Sequence, residues 1–257
     1  MGIASAKELN EKYNGDDTMK KRYEKLYNAC CGLPGFEKEA HFVAIKGNIS
    51  DKAVRFMLVG RACNGWGVDD DRTTSAAAYG EKAVEEFNDI NRWDWINEIN
   101  GILYNYSKEY CVSHSPFWDY SKGIYEELRN SQCEGVWMRN IIWSNLYKIS
   151  PRAEGNPSEE YQKAELNACK NILKAEIEDA NPTHILMMTG FDWFEPFSDI
   201  FSSVKYIGRN ISRGKYKNDI YVEATAKFHN AKVVVMCRPE YRKKELYVWD
   251  AVNKLTS

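Results

Sequence analysis

The chain has 257 residues, 44% hydrophobic, 28% charged and 13% aromatic, the make-up of a folded globular protein rather than a disordered or fibrous one. Its 35 Lys and Arg against 37 Asp and Glu give a formal net charge of −2, so no global basic field draws in nucleic acid and any DNA-binding face has to be a local patch. No run approaches 18 apolar residues, so no membrane span is expected. Seven Cys without repeated spacing, and no apolar leader, point to reduced thiols and a cytoplasmic protein.

Residues 5–31 read as helix. Ser5 with Glu8 makes a capping box, Gly15-Asp16-Asp17 interrupts the run, and a second stretch continues to about Cys30 before the turn Cys31–Gly35. Residues 1–50 are taken as a helical extension packed on the core, and 51–257 as one α/β domain. Val54–Val59 is the first strong strand, followed by Asn140–Tyr147, His184–Thr189 and Lys232–Cys237. All four are apolar on both faces, as strands of a covered parallel sheet are. Helical stretches are predicted between them at Tyr79–Tyr110 (broken near Asn91), Trp118–Asn130, Pro157–Asn181 and Phe191–Phe201. A hairpin is expected from Val204–Gly208 and Asp219–Thr225. Strand alternating with helix means crossover connections, hence a three-layer α/β/α fold with a central, mainly parallel four-stranded sheet.

In such sheets ligands bind beyond the carboxyl ends of the strands. After the first strand comes Gly60-Arg61-Ala62-Cys63-Asn64-Gly65-Trp66-Gly67, then the acidic triplet Asp69-Asp70-Asp71. It is neither a Walker loop nor a dinucleotide fingerprint. The second strand leads into Asn145-Leu146-Tyr147-Lys148-Ile149-Ser150-Pro151, and the last delivers Cys237-Arg238-Pro239-Glu240-Tyr241-Arg242. Four scattered His and no chelating Cys pair argue neither a zinc site nor an iron–sulfur cluster.

This ordered set resembles the uracil-DNA glycosylase superfamily over roughly residues 54–245. The shared pieces are the glycine loop after strand one, the Asn-bearing strand two with a Lys and a Pro after it, and a helix of Glu165-x-x-x-Cys169-x-x-x-Leu173 type. A Pro182-led strand ending at Gly190 and a last loop holding Pro239 complete it. The resemblance implies N-glycosidic hydrolysis of a deaminated or damaged base flipped out of DNA, as in base-excision repair, with no cofactor.

On that resemblance Asn145 is the amide that reads the base edge, Phe117 the ring that stacks on it, and Arg61 or Ala62 fills the position of the water-orienting group. Neither Arg61 nor Ala62 can orient water as a base. Arg238 stands where the family has a His, and could stabilise the departing anion. Asn64, Asp69 and Asp70 offer substitute groups for handling water. Lys148, Arg152, Arg242 and Lys243, with Arg238, are expected to form the basic patch for DNA. The departures leave two alternatives: a non-catalytic binder of nucleobases or nucleic acid, or a hydrolase of free nucleosides or nucleotides.

Overall fold

The structure is a computed structural model that describes residues 18–49, 52–63, 74–93, 115–133, 136–152, 155–209 and 220–257. The chain divides into two compact units, one of residues 1–43, 62–87 and 147–176, the other of 44–61, 88–146 and 177–257.

In the first unit, helices α1 (Met19–Cys30) and α2 (Ala76–Phe87) pack on one another. Their approach is close: a Cβ on Gly80 would stand 2.7 Å from the Lys20 carbonyl oxygen, so glycine is required there. Strands β1 (Glu39–His41) and β5 (Ile149–Pro151) form a two-stranded antiparallel ladder. The long helix α4 (Glu159–Ala180) begins in this unit. Its buried stripe of Tyr161, Glu165, Cys169, Leu173 and Glu176 recurs at helical spacing and includes two carboxylates. Asn181, at φ 44°, and Pro182 end it.

The second unit holds a seven-stranded sheet in the order β2 (Ile45–Lys46), β4 (Ile141–Asn145), β3 (Phe56–Gly60), β6 (His184–Met187), β9 (Ala231–Met236), β8 (Val222–Phe228), β7 (Ser202–Tyr206). The four central strands β4, β3, β6 and β9 are parallel, in register Phe56↔Ile141, Phe56↔His184 and His184↔Lys232. Every residue of β3 and β4 is buried. Alternate side chains face opposite ways, so both faces are covered, as a three-layer arrangement requires. The fold class is therefore mixed α/β with a parallel centre.

The sheet is larger than the four strands expected, because β2, β8 and β7 extend it by antiparallel pairing. The anticipated hairpin exists, and β8 joins it to the parallel strands. Helices α3 (Pro116–Arg129) and α6 (Lys244–Thr256) pack together, α6 lying on β8 and β9. The stretch 191–201 is less regular than one helix: a single turn α5 (Phe191–Phe194) passes into 3-10 structure over Glu195–Ile200.

Numbering only the parallel strands in chain order gives 2-1-3-4. The chain leaves β3 to one side for β4, then returns across it to β6, so the order reverses between β3 and β6. A topological switch point of this kind leaves a crevice at the carboxyl edge.

Candidate functional site at the carboxyl edge of the sheet

Backbone pairing continues past the strands at this edge. Leu146 N–H donates to the Gly60 carbonyl (2.9 Å), Met188 to Val59 (3.0 Å), Gly190 to Met236 (2.8 Å) and Cys237 to Tyr221 (2.9 Å). The first residues of the loops are thereby held as firmly as the strands.

Gly60 and Asn145 are register partners, and Asn145 is 1% exposed. A Cβ on Gly60 would lie 2.3 Å from Asn145 Oδ1 and 3.6 Å from Phe117 Cε2. Glycine is what lets the carboxamide lie across the end of β3. Phe117 is half-buried in the first turn of α3, which Pro116 starts; its carbonyl accepts from Ser121 Oγ, and its ring meets Trp118 edge-on at 5.1 Å. The two residues read as an amide and a stacking ring thus meet at Gly60.

Arg61 occupies the switch point. Its Nε donates to the Thr189 carbonyl at 2.5 Å, and its guanidinium lies 5.2 Å from the centre of the Trp193 ring. Gly190 has φ +77°, and a Cβ there would stand 3.2 Å from Arg61 Nη2 and 3.5 Å from Glu223 Oε2. Glu223 Oε2 in turn accepts from the Phe191 N–H at 2.6 Å. Burial lowers the Arg61 pKa to about 10, helped by Arg238 and opposed by Glu240, Glu223 and Asp192. It remains a cation at neutral pH, fixed at Nε, with no hydrogen bond from either Nη to the described residues.

Arg238 follows β9 in a more open place. Its side chain is 54% exposed and grips Glu240 through both Nε and Nη2. This loop is tied to α3 because Tyr120 Oη donates to the Arg242 carbonyl at 2.6 Å, and Lys244 pairs with Asp119 at 2.7 Å. The helix bearing Phe117 and the loop bearing Arg238 are therefore neighbours. Burial pushes the Cys237 thiol up to about 12, so it is no nucleophile at neutral pH.

Lys148 cannot belong to the expected basic patch. Lys148 is fully buried in the first unit, its Nζ 2.9 Å from Glu176 Oε2, because a lone ammonium inside a core needs a counter-charge. It cannot meet a phosphate. Arg152, also in the first unit, is exposed and donates to the Glu39 carbonyl. Arg242 is half-buried, its Nε without a hydrogen-bond partner among the described residues. Lys243 is exposed just ahead of α6. Ala62 is counted with the first unit, and Asn64, Asp69 and Asp70 lie outside the described residues.

Trp193 and Glu223 were not foreseen. Both leave a trace in the sequence: Gly190-Phe191-Asp192-Trp193 is an aromatic cluster directly after a strand, and Glu223 is a charge inside the apolar run Tyr221–Ala226. Among the described residues no group of three or more His, Cys, Asp or Glu is placed to hold a metal ion, and no helix is long and apolar enough to cross a membrane. No protein-family model matches the chain, and no curated protein matches it significantly.

Proposed function

We propose that this chain is a uracil-DNA glycosylase-like protein that takes a nucleobase of DNA at the carboxyl edge of its sheet and hydrolyses the N-glycosidic bond only weakly. The observation that supports it is the meeting of Asn145 and Phe117 at Gly60. A carboxamide donates and accepts at once, which suits a base edge, and a half-buried ring supplies the stacking surface. In the reaction water attacks C1′, the bond to the base breaks, and the base leaves as an anion that is then protonated. Arg61 suits that anion better than Arg238 does, since Glu240 already occupies the Arg238 fork. Weakness follows from Ala62, which has no group to orient water.

Binding without hydrolysis is the second reading, favoured by the same engagement of Arg238. Oligonucleotides carrying uracil or hypoxanthine, single- and double-stranded, test both. Excision is expected to be weak, on the order of 10² to 10³ below a site that retains a water-orienting group, and to rise in Ala62→Asp. Base-dependent binding should vanish in Asn145→Ala. Binding indifferent to both Asn145→Ala and Phe117→Ala would overturn the proposal; excision undetectable even in Ala62→Asp, with binding kept, would leave the binder.

A further inference from the structure

A second charged surface lies at the other end of β9. Lys232 is the second residue of that strand and the register partner of Lys227 on β8. Like charges directly opposite on neighbouring strands repel, a standing cost to the sheet. Lys205 of β7 and Lys254 of α6 line the same groove, a cavity of about 540 Å3 with no acidic side chain in its lining. Among the described residues none of the four lysines pairs with an Asp or Glu side chain; Lys232 Nζ donates to main-chain oxygens of Thr256 (2.9 Å) and Ser257 (3.3 Å). Tyr206, 49% exposed, stands in the wall of the groove. A chain with a net charge of −2 has here gathered four lysines around one hollow, three of which, Lys205, Lys227 and Lys254, have no side-chain partner among the described residues.

We infer that this groove binds the sugar–phosphate backbone of a nucleic-acid strand, with Tyr206 as a stacking surface for a base. Cations in a concave track beside an exposed aromatic are what non-specific single-strand binding uses. A bilayer surface is flat and would reach only the rims, so the hollow favours a strand. The groove takes phosphates whatever base is read at the carboxyl edge, and it stands independently of the reading of Asn145 and Phe117.

The test is fluorescence anisotropy of a labelled single-stranded oligonucleotide against the full chain, titrated from low to moderate salt. Each neutralised phosphate contributes about 0.7 to the salt slope of a single strand, so changing Lys205, Lys227 and Lys254 together to Gln should lower the slope by roughly 2 and weaken low-salt binding by about ten-fold. The same three positions changed to Arg should keep both. Tyr206→Ala should weaken binding without changing the slope. A slope unchanged in the triple Gln variant would overturn the groove while leaving the base site untouched. Capture of the chain by phosphatidylserine vesicles with none by oligonucleotide would overturn it in favour of a membrane, and binding to neither would overturn it outright.

Discussion

Lys148 and Arg238 both follow a strand of the central sheet by a few residues, and each pairs with a glutamate, yet they are opposite kinds of ion pair. Lys148 and Glu176 are each fully buried, Glu176 Oε1 also accepts from Tyr23 Oη at 3.0 Å, and the ammonium lies 5.6 Å from the Phe42 ring centre. Arg238 and Glu240 are 54% and 36% exposed and two residues apart. The first pair cannot dissociate without leaving an ion in the core. The second can open to water at little cost. Position after a strand tells where a side chain begins; burial decides what it can do.

The largest effect should come from cutting the buried pair on one side. Lys148→Met strands the Glu176 carboxylate and should cost about 3–5 kcal/mol in urea denaturation. Changing Lys148 and Glu176 together to apolar residues should recover most of that loss. If the single change were nearly neutral, the pair would not be the interior link described.

Next in size is a pH effect from the same region. Glu165 Oε2 accepts from the Lys148 and Ile149 N–H groups and from the Cys169 thiol, but burial outweighs these and raises its pKa from 4.5 to about 8. The unfolded chain releases this proton near 4.5 and the folded chain near 8, so rising pH favours the unfolded state throughout that window. His41 acts the other way: burial, with Arg152 adding to it, lowers its pKa from 6.5 to about 4, so stability falls as pH drops through that range. The two slopes oppose below 6.5, and Glu165 acts without that offset above it. Stability should fall by about 2 kcal/mol between pH 6.5 and 8, and Glu165→Gln should flatten that decline in thermal melts.

Gly60→Ala sharpens the other side of the comparison. The new methyl displaces Asn145 Oδ1, an overpacking of about 1–3 kcal/mol. Base binding should drop far more than stability does. Adding Gly60→Ala to Asn145→Ala should then cost little further binding, which a double-mutant cycle would show. The smallest effect is expected for Arg238→Gln, under about 1 kcal/mol in stability because the pair is exposed. A loss as large as that of Lys148→Met would erase the distinction.

Much of the sheet was legible because its strands are uninterrupted β-branched and apolar runs. The expected 54–59, 140–147, 184–189 and 232–237 differ from β3, β4, β6 and β9 by at most two residues at either end. Helix α4 was legible from its stripe, although Glu165 and Glu176 within it gave no hint of being buried. Helix α6 was not expected. It starts without a Ser, Thr, Asp or Asn cap, and Leu246 and Trp249, 43% and 66% exposed, blur the buried spacing of Tyr247, Ala251 and Leu255. Strands β1 and β2 are too short to signal themselves. At the site, Asn145, Phe117 and Arg61 could be named because strand ends mark the ligand edge. Glu223 could not, since it begins a strand that runs the other way, and antiparallel pairing to β9 is what returns it to that edge. The groove of lysines was hidden for a related reason: four residues spread from 205 to 254 become neighbours only through strand pairing and the packing of α6 on β8 and β9.

The central place of β3 carries a consequence for synthesis. Phe56–Val59 is apolar throughout and pairs on one side with β4, on the other with β6, whose His184 lies 128 residues after Phe56. At about 5–20 residues per second a ribosome takes roughly 6–25 s to make that span. During that interval one edge of the most buried strand has no partner to receive it. Pairings this distant also make folding slow after release. The nascent chain should therefore depend on holdase chaperones until β6 has emerged, and arrested chains ending before residue 184 should aggregate where those ending beyond β9 do not.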